Sequence, residues 1–335
     1  MDQSKNLRVL AVTNLFPSQK FPASGTFVEQ QVKGLRQVGI NVEVLFVNRA
    51  EGGMKEYINL GEGIRTRCEE FRPDIVHSMY GGVMANVMTR VVRDRPTVVS
   101  FCGSDLLGEL LSGSVRKIIS RIGVRASWRA ARRASGVIVK SRNLLDSLPK
   151  DINRSKIRII PNGIDLTRFK PLGQSESREQ LGWNDNCFHV LFPTNQGDPR
   201  KRFNLAKAAV EILNNSSKNL VEIHQLRGVP HELVPIWLNA SDVVLLTSLH
   251  EGSPNIIKEA LACDVPVVSV DVGDVRERIK EIDGCYIALA DPVDLAEKLQ
   301  LVQAGMQRIS GRLGMQELSL EQVAIRIGNF YEELL

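Results

Sequence analysis

Two α/β domains in tandem, each a parallel sheet covered by helices, are what this sequence predicts. Short β-branched runs alternate with segments of helical period, the alternation occurs twice, and a stretch rich in Pro and Gly separates the two series. The length of 335 residues agrees with two domains of about 150 residues each. With 43% hydrophobic and 24% charged residues and no low-complexity tract, each half can bury a core, and disorder is expected only at the ends.

In the first half, "LRVLAVTN" (7–14), "VEVLFV" (42–47), "DIVHS" (74–78), "PTVVSF" (96–101), "GVIVK" (136–140) and "KIRIIP" (156–161) read as strands. Between the first two, "TFVEQQVKGLRQVG" (26–39) carries Phe27, Val28, Val32, Leu35 and Val38 on one apolar stripe, with Gly39 past its end. In the second half, "CFHVLFP" (187–193), "NLVEIHQ" (219–225), "DVVLLTS" (242–248), "VPVVSVD" (265–271) and "GCYIAL" (284–289) are strands, with helices near 203–214, 230–240, 254–263 and 291–303. The count gives two Rossmann-like domains. "IIPNGIDLTRFKPLGQSESREQLGW" (159–183) is broken by Pro161, Gly163, Pro171 and Gly173, which places a linker near 162–180. The domains are therefore read as 1–162 and 163–318. The tail "SLEQVAIRIGNFYEELL" (319–335) is an amphipathic helix through Leu320, Val323, Ile327, Phe330 and Tyr331, able to pack on either domain, including by crossing back to the first.

No apolar run reaches the roughly 18 to 20 residues that cross a bilayer, and the start has too short an apolar stretch for a signal peptide, so a cytoplasmic protein is expected. Five scattered cysteines, Cys68, Cys102, Cys187, Cys263 and Cys285, lack a CxxC spacing, which argues for reduced thiols and against a disulfide framework or a zinc site. The net charge of +5 is uneven: from Leu110 to Leu145 there are nine Lys or Arg and no acid. There, Arg121, Arg125, Arg129 and Arg132 follow one face, interspersed with Ile118, Ile119, Ile122 and Trp128. Such a helix over 115–133 suits an anionic membrane surface on the inner face, at about 1 kcal/mol per basic residue. The other reading is a solvated helix packed through its isoleucines. Nucleic acid is disfavoured because no aromatic platform accompanies the charge.

Open parallel sheets bind ligands at the carboxyl ends of their strands. After one strand comes "LHEGSPNIIKEALACDVPVVSVD" (249–271), where Ser253 and Pro254 predict a helix N-cap and first residue. The amides of Asn255, Ile256 and Ile257 would then face an anion, best matched to phosphate. Glu251 precedes this mouth and Glu259 lies further into the helix, where carboxylates suit hydroxyls on the sugar and ribose sides of a diphosphate. The alternative is that Glu259 supports the helix dipole and Glu251 is solvated. "TNQGDPRKRFNLAKAAV" (194–210) brings Arg200, Lys201 and Arg202 ahead of a helix, fit either to neutralise a leaving diphosphate or simply to be solvated. In the first half, a loop turns at Gly25 into a helix N-terminus that could face a phosphate or an acceptor. "FCGSDLLG" (101–108) sets Cys102, Ser104 and Asp105 at a strand end, and His77 ends a neighbouring strand. No Ser/His/Asp order or metal-ligand cluster stands out, and a lone His77 reads as a packed residue.

These residues resemble the retaining glycosyltransferases of the GT-B fold, family 4, over nearly the whole chain. "EGSPNIIKEALACDVPVVSVDVGDVRE" resembles the family's signature of two glutamates separated by seven residues, then Ala and Pro-Val-Val. "IIPNGIDLTRFKP" resembles its interdomain segment, "DPRKRFNLAKAAV" its phosphate-binding loop and "NASDVVLLTS" the strand before the signature. "TNLFPSQKFPASGTFVEQQVKGL" is similar to the first loop and helix of members acting on surface polysaccharides. The resemblance implies two Rossmann-like domains facing a central cleft, with the donor against the second and the acceptor against the first.

It further implies transfer with retention from a UDP- or GDP-sugar to a glycan or lipid-linked hydroxyl acceptor, in cell-surface polysaccharide or glycolipid synthesis, with no required cofactor or metal. Carried over, Glu251 faces the donor sugar, Gly252, Ser253, Pro254, Asn255 and Ile256 hold sugar and diphosphate, and Glu259 meets the ribose. Lys201, helped by Arg200 or Arg202, holds the diphosphate, so that Glu251, Lys201 and Asp105 are the catalytic set and Gly25 belongs to the binding set.

The chain departs from the family in three places. The usual Gly-Arg ahead of the lysine is absent, with Gln196 near the arginine's place; Cys102 stands where members often have histidine; and the stretch from Lys201 to "ASDV" lacks one strand and helix. The alternatives are a non-hydrolysing nucleotide-sugar epimerase and a non-catalytic nucleotide-sugar-binding protein.

Overall fold

A computed structural model describes residues 7–21, 24–109, 114–193, 197–217, 219–305 and 308–335. The chain divides into two compact units, one running to Gly163 and including Leu320–Leu335, the other Ile164–Ser319.

The first unit runs β1 (Arg8–Thr13), α1 (Thr26–Gln37), β2 (Asn41–Phe46), α2 (Arg49–Gly52), α3 (Leu60–Phe71), β3 (Ile75–Ser78) and α4 (Gly82–Val91). It continues with β4 (Thr97–Phe101), α5 (Ser104–Leu107), α6 (Ser114–Arg133), β5 (Gly136–Val139), α7 (Arg142–Ser147) and β6 (Ile157–Ile159). All pairings are parallel, in the order β2-β1-β3-β4-β5-β6. A sheet covered on both faces needs strands that are apolar throughout. Accordingly Leu10, Val12, Val76, Val99 and Val137 pack with Ile64 of α3, Met84 of α4 and Ala130 of α6. Their neighbours Val9, Ala11, Ile75, Val98 and Ile138 pack with Val28, Val32 and Leu35 of α1.

The second unit contains α8 (Gln174–Leu181), β7 (Phe188–Phe192), α9 (Phe203–Ser216), β8 (Val221–Gln225), α10 (Val234–Ala240), β9 (Val243–Leu246) and α11 (Asn255–Ala262). Then follow β10 (Val267–Val270), α12 (Val275–Ile279), β11 (Tyr286–Ala288) and α13 (Pro292–Ala304). Its parallel sheet has the order β11-β10-β9-β7-β8. Phe188, Val190 and Phe192 face α9 and α13, whereas Leu191, Val244 and Leu246 face α10 and α11. A single strand, β8, lies between α9 and α10, in line with the short stretch there. Part of the linker read at 162–180 is instead α8, anchored by Arg178, whose Nη2 lies 2.8 Å from Asp242 Oδ1.

The tail helix α14 (Leu320–Glu332) belongs to the first unit, where Val323, Ala324, Ile327 and Phe330 complete the α1 side of the core. His77 on β3 is fully buried, its Nδ1 2.5 Å from the Tyr331 hydroxyl and its Nε2 2.8 Å from Ser100 Oγ. It is therefore a packed strap between sheet and tail. Burial, then Lys140, lowers its pKa to about 3. The unfolded chain takes up this proton near pH 6.5 and the fold only near 3, so acidification through that window favours unfolding. Tyr331→Phe leaves His77 Nδ1 without its buried partner and is expected to cost about 1–3 kcal/mol, read as a lower urea midpoint.

Candidate functional site

The chain leaves β9 through residues 247–254 and enters α11, with Gly252, Ser253 and Pro254 buried. The helix starts at Asn255 with Pro254 as its flanking residue, one position later than the Ser-Pro pair predicts. The reason lies in Ser253: its hydroxyl does not cap the helix but donates to Asp274 Oδ2 at 2.9 Å and accepts from Lys258 Nζ at 3.1 Å. Arg278 Nε donates to the same Asp274 oxygen at 2.9 Å. A buried charged network thus underlies the turn, and no motif marks Lys258 or Asp274. The signal for Lys258 is a lysine following Ile256 and Ile257 in "NIIKEALA", beside Glu259. Gly273, at φ +61°, closes over the turn, since a Cβ there would stand 2.5 Å from the Gly252 carbonyl oxygen. The first turn of α11 offers N–H groups at the positive end of a helix dipole, an arrangement suited to an anion.

The cations come from the loop after β7. Asp198 caps the turn Pro199–Lys201 by accepting from the Arg200 amide at 2.9 Å and holds the Arg200 guanidinium through Nε at 2.8 Å. Burial alone would raise the Asp198 carboxyl, but the bonds from Arg200 hold it below the usual range. Arg202, in the left-handed region at φ +52°, donates to the carbonyls of Thr247 at 2.6 Å and Ser248 at 3.1 Å. Lys201 Nζ lies 2.5 Å from Glu251 Oε1, with the two side chains only 14% and 19% exposed. Thr247 Oγ1 donates to the Lys201 carbonyl at 2.7 Å, and the Leu249 amide to that of Arg200 at 2.8 Å. Three cations that look alike in sequence therefore have three different partners. Lys201 is the one brought to Glu251; Gln196 lies outside the described residues.

Glu259, on α11, is 8% exposed. Its Oε1 lies 3.7 Å from His231 Nε2, and His231 Nδ1 accepts from Arg168 Nη1 at 2.8 Å, which leaves the Nε2 hydrogen directed at the carboxylate. Phe169 meets the His231 ring edge to face at 5.7 Å. Neither Arg168 nor His231 is found from sequence, because each takes its meaning from a partner far along the chain; the helix read near 230–240 begins only at Val234, which leaves His231 ahead of it.

In the first unit, Gly25 opens α1 at φ +70°, where a Cβ would stand 2.2 Å from the Leu15 carbonyl carbon. Asp105 is buried and accepts from the amides of Gly81 at 2.9 Å, Cys102 at 3.0 Å and Gly103 at 2.8 Å, tying together the loops after β3 and β4. Burial raises its carboxyl pKa against these bonds. Lys140, just past β5, is also buried, donates to Gln31 Oε1 at 3.2 Å and has its pKa lowered by burial, with Cys102 and Asp105 acting the other way. The lysine at the end of "GVIVK" is its only mark in the sequence.

Helix α6 buries Ala126, Ser127, Ala130 and Ala131 but leaves Ile118, Ile119 and Ile122 between 51% and 55% exposed. Lys117, Arg121, Arg125 and Arg129 are exposed as well; the side chains of Val115 and Arg116 lie outside the described residues. The isoleucines do not pack the helix down, so the reading of a helix held through them is corrected. Among the described residues no helix is long and apolar enough to cross a membrane.

Comparison with known proteins bears on both units. Residues 24–168 match the model of Glycosyltransferase Family 4, and residues 197–303 that of Glycosyl transferases group 1. TuaC of Bacillus subtilis (strain 168), designated a teichuronic acid biosynthesis glycosyltransferase, is 25% identical over 80% of this chain and 82% of its own. The sucrose-phosphate synthase of Thermosynechococcus elongatus superposes with a TM-score of 0.80 at 16% identity, over 98% of this chain and 99% of that one. Anabaena Alr3699/HepE, solved in complex with UDP and glucose, gives a TM-score of 0.69 at 19% identity, over 98% and 100%. At these identities the two structures speak to the fold.

Proposed function

The chain belongs to the group 1, family 4 glycosyltransferases of the GT-B fold, and on that premise we propose that it moves a sugar from a nucleoside diphosphate sugar to a hydroxyl acceptor with retention. The observation that carries this reading is Lys201 held on Glu251 beside the first turn of α11. In the transfer, the bond from the anomeric carbon to the diphosphate oxygen breaks as the acceptor oxygen bonds on the same face, and the acceptor proton passes to the departing phosphate. Charge grows on the leaving diphosphate, where Lys201, the amides of Gly252, Ser253, Asn255 and Ile256 and the helix dipole stabilise it. The incoming diphosphate competes for Lys201 and releases Glu251 to accept from sugar hydroxyls. Glu259 accepts from the ribose, Asp105 positions the loops of the first unit, and the Gly25 turn serves the acceptor. Arg200 and Arg202 shape the cation loop through Asp198 and the β9 carbonyls.

The UDP and glucose bound by the HepE neighbour support a UDP-sugar as donor, and no other cofactor is proposed. The TuaC relative supports an acceptor in polysaccharide synthesis of the teichuronic acid kind, and a relative of Escherichia coli named for transfer of galactose to GlcNAc-diphosphoundecaprenol supports a lipid-linked one. Incubation of the full chain with UDP-sugars and lipid-linked glycans should release UDP together with a product whose new linkage keeps the donor's anomeric configuration by NMR. An inverted linkage, an epimerised donor formed without acceptor, or binding without UDP release would each overturn the reading. Glu259→Ala should weaken donor binding about 10- to 100-fold, as loss of a charge-assisted hydrogen bond implies.

The exposed isoleucines and cations of α6 support docking on an anionic inner membrane surface. Vesicles containing phosphatidylglycerol should co-sediment with the chain and phosphatidylcholine vesicles should not. Arg121→Gln with Arg125→Gln should lower partitioning by about tenfold or more, since each basic residue contributes about 1 kcal/mol.

A further inference from the structure

The second unit carries a cluster of ligating side chains that the transfer reaction leaves unused. His189 stands opposite Glu222 in the β7–β8 register, and Glu222 and His224 are two apart on β8, so all three share the face turned away from α9 and α13. His189 Nδ1 lies 2.9 Å from His224 Nε2, and Glu222 Oε2 lies 3.6 Å from the first and 3.5 Å from the second. A tetrahedral ion with bonds of about 2.0–2.1 Å sets its donors about 3.3–3.4 Å apart. The carboxylate is already at that separation, and the two imidazoles need to part by only roughly 0.4 Å.

The surroundings orient the donors as a metal requires. His189 is fully buried and its Nε2 donates to the Asn184 carbonyl at 2.8 Å, which leaves the lone pair of Nδ1 facing the triangle. Trp183 stacks on the His224 ring, with centroids 3.6 Å apart and planes at 11°. The Glu222 side chain is 38% exposed, which gives an ion an entry path and room for a water ligand. A hydrogen bond joins the two imidazoles; metal binding replaces it by moving the His224 proton to Nδ1, with no change of charge.

We propose that His189, Glu222 and His224 bind a divalent transition-metal ion of the zinc class, a clip that fastens edge strand β8 to β7 and uses none of the residues assigned to transfer. The histidines lie 35 positions apart, which hides the cluster from motif reading.

The test uses the tag-free full chain, stripped with EDTA and titrated with Zn²⁺ by calorimetry and with Co²⁺ by absorption spectroscopy. One ion per chain and a higher unfolding midpoint with Zn²⁺ are expected. His224→Gln and Glu222→Gln should each weaken binding by at least about tenfold, the loss that follows even from removing an outer contact of a ligand. Glu222→Gln changes a partly exposed side chain without changing its size, so it decides the matter if His224→Gln fails to fold. No ion bound by the wild type, or a Glu222→Gln chain that binds as tightly as the wild type, overturns the proposal.

Discussion

Lys201→Ala is expected to lower kcat by about 10²–10³, the effect of removing one preorganised group from a site of developing charge. Lys201 is the cation that the fold delivers to the signature turn, whereas Arg200 is held by Asp198 and Arg202 by backbone carbonyls. Its loss also takes the Lys201 counter-charge away from the largely buried Glu251. The midpoint of unfolding should therefore fall too, by less than the roughly 3–5 kcal/mol that breaking a fully buried pair costs. The two effects separate in the Lys201→Ala/Glu251→Ala chain. Stability should largely return there because no charge is stranded, while turnover should stay low. Recovery of turnover in the double variant would show the pair to be structural.

Glu251→Gln should lower kcat by about 10² and change the donor's KM little. The amide keeps the shape and one acceptor but removes the charge that, in the proposed transfer, orients sugar hydroxyls once Lys201 turns to the diphosphate. Glu259→Ala should do the opposite, raising the donor's Kd with a smaller effect on turnover at saturation. In the proposed transfer the roles differ because Glu251 lies on Lys201, the cation proposed to meet the leaving charge, whereas Glu259 stands against His231, which Arg168 holds from its other nitrogen. Steady-state kinetics of both variants against one donor checks the contrast, and full activity in both would remove this site assignment.

The strands were legible because both faces of each sheet are covered, which forces apolar runs such as Val243–Leu246, unbroken, and Val267–Val270, interrupted only by Ser269. The turn at Gly252 was legible because Ser-Pro after a strand has few other uses. The helix start was one residue off because Ser253 serves Asp274 and Lys258, a partnership across chain distance that local capping rules do not contain. The same limit explains the cation loop, where "RKR" is a uniform patch until Asp198, Thr247 and Glu251 arrive to divide it. Arg168, His231, Lys140 and the His189 cluster stayed hidden because their meaning comes from neighbours far along the chain. Helix α6 showed its charge in sequence, but only the packing of Ala126 and Ala130 decides which side its isoleucines face.

In the proposed transfer the second unit holds the donor's diphosphate between Lys201 and the first turn of α11. Calorimetric titration of UDP, with GDP alongside and uridine as the phosphate-free reference, into the wild type and Lys201→Ala tests it most directly. One-to-one diphosphate binding by the wild type is expected, weakened at least about tenfold by the substitution as a lost charge-assisted contact implies, with uridine binding alike to both. Equal binding of the diphosphate by the two chains, or none by the wild type, would contradict it.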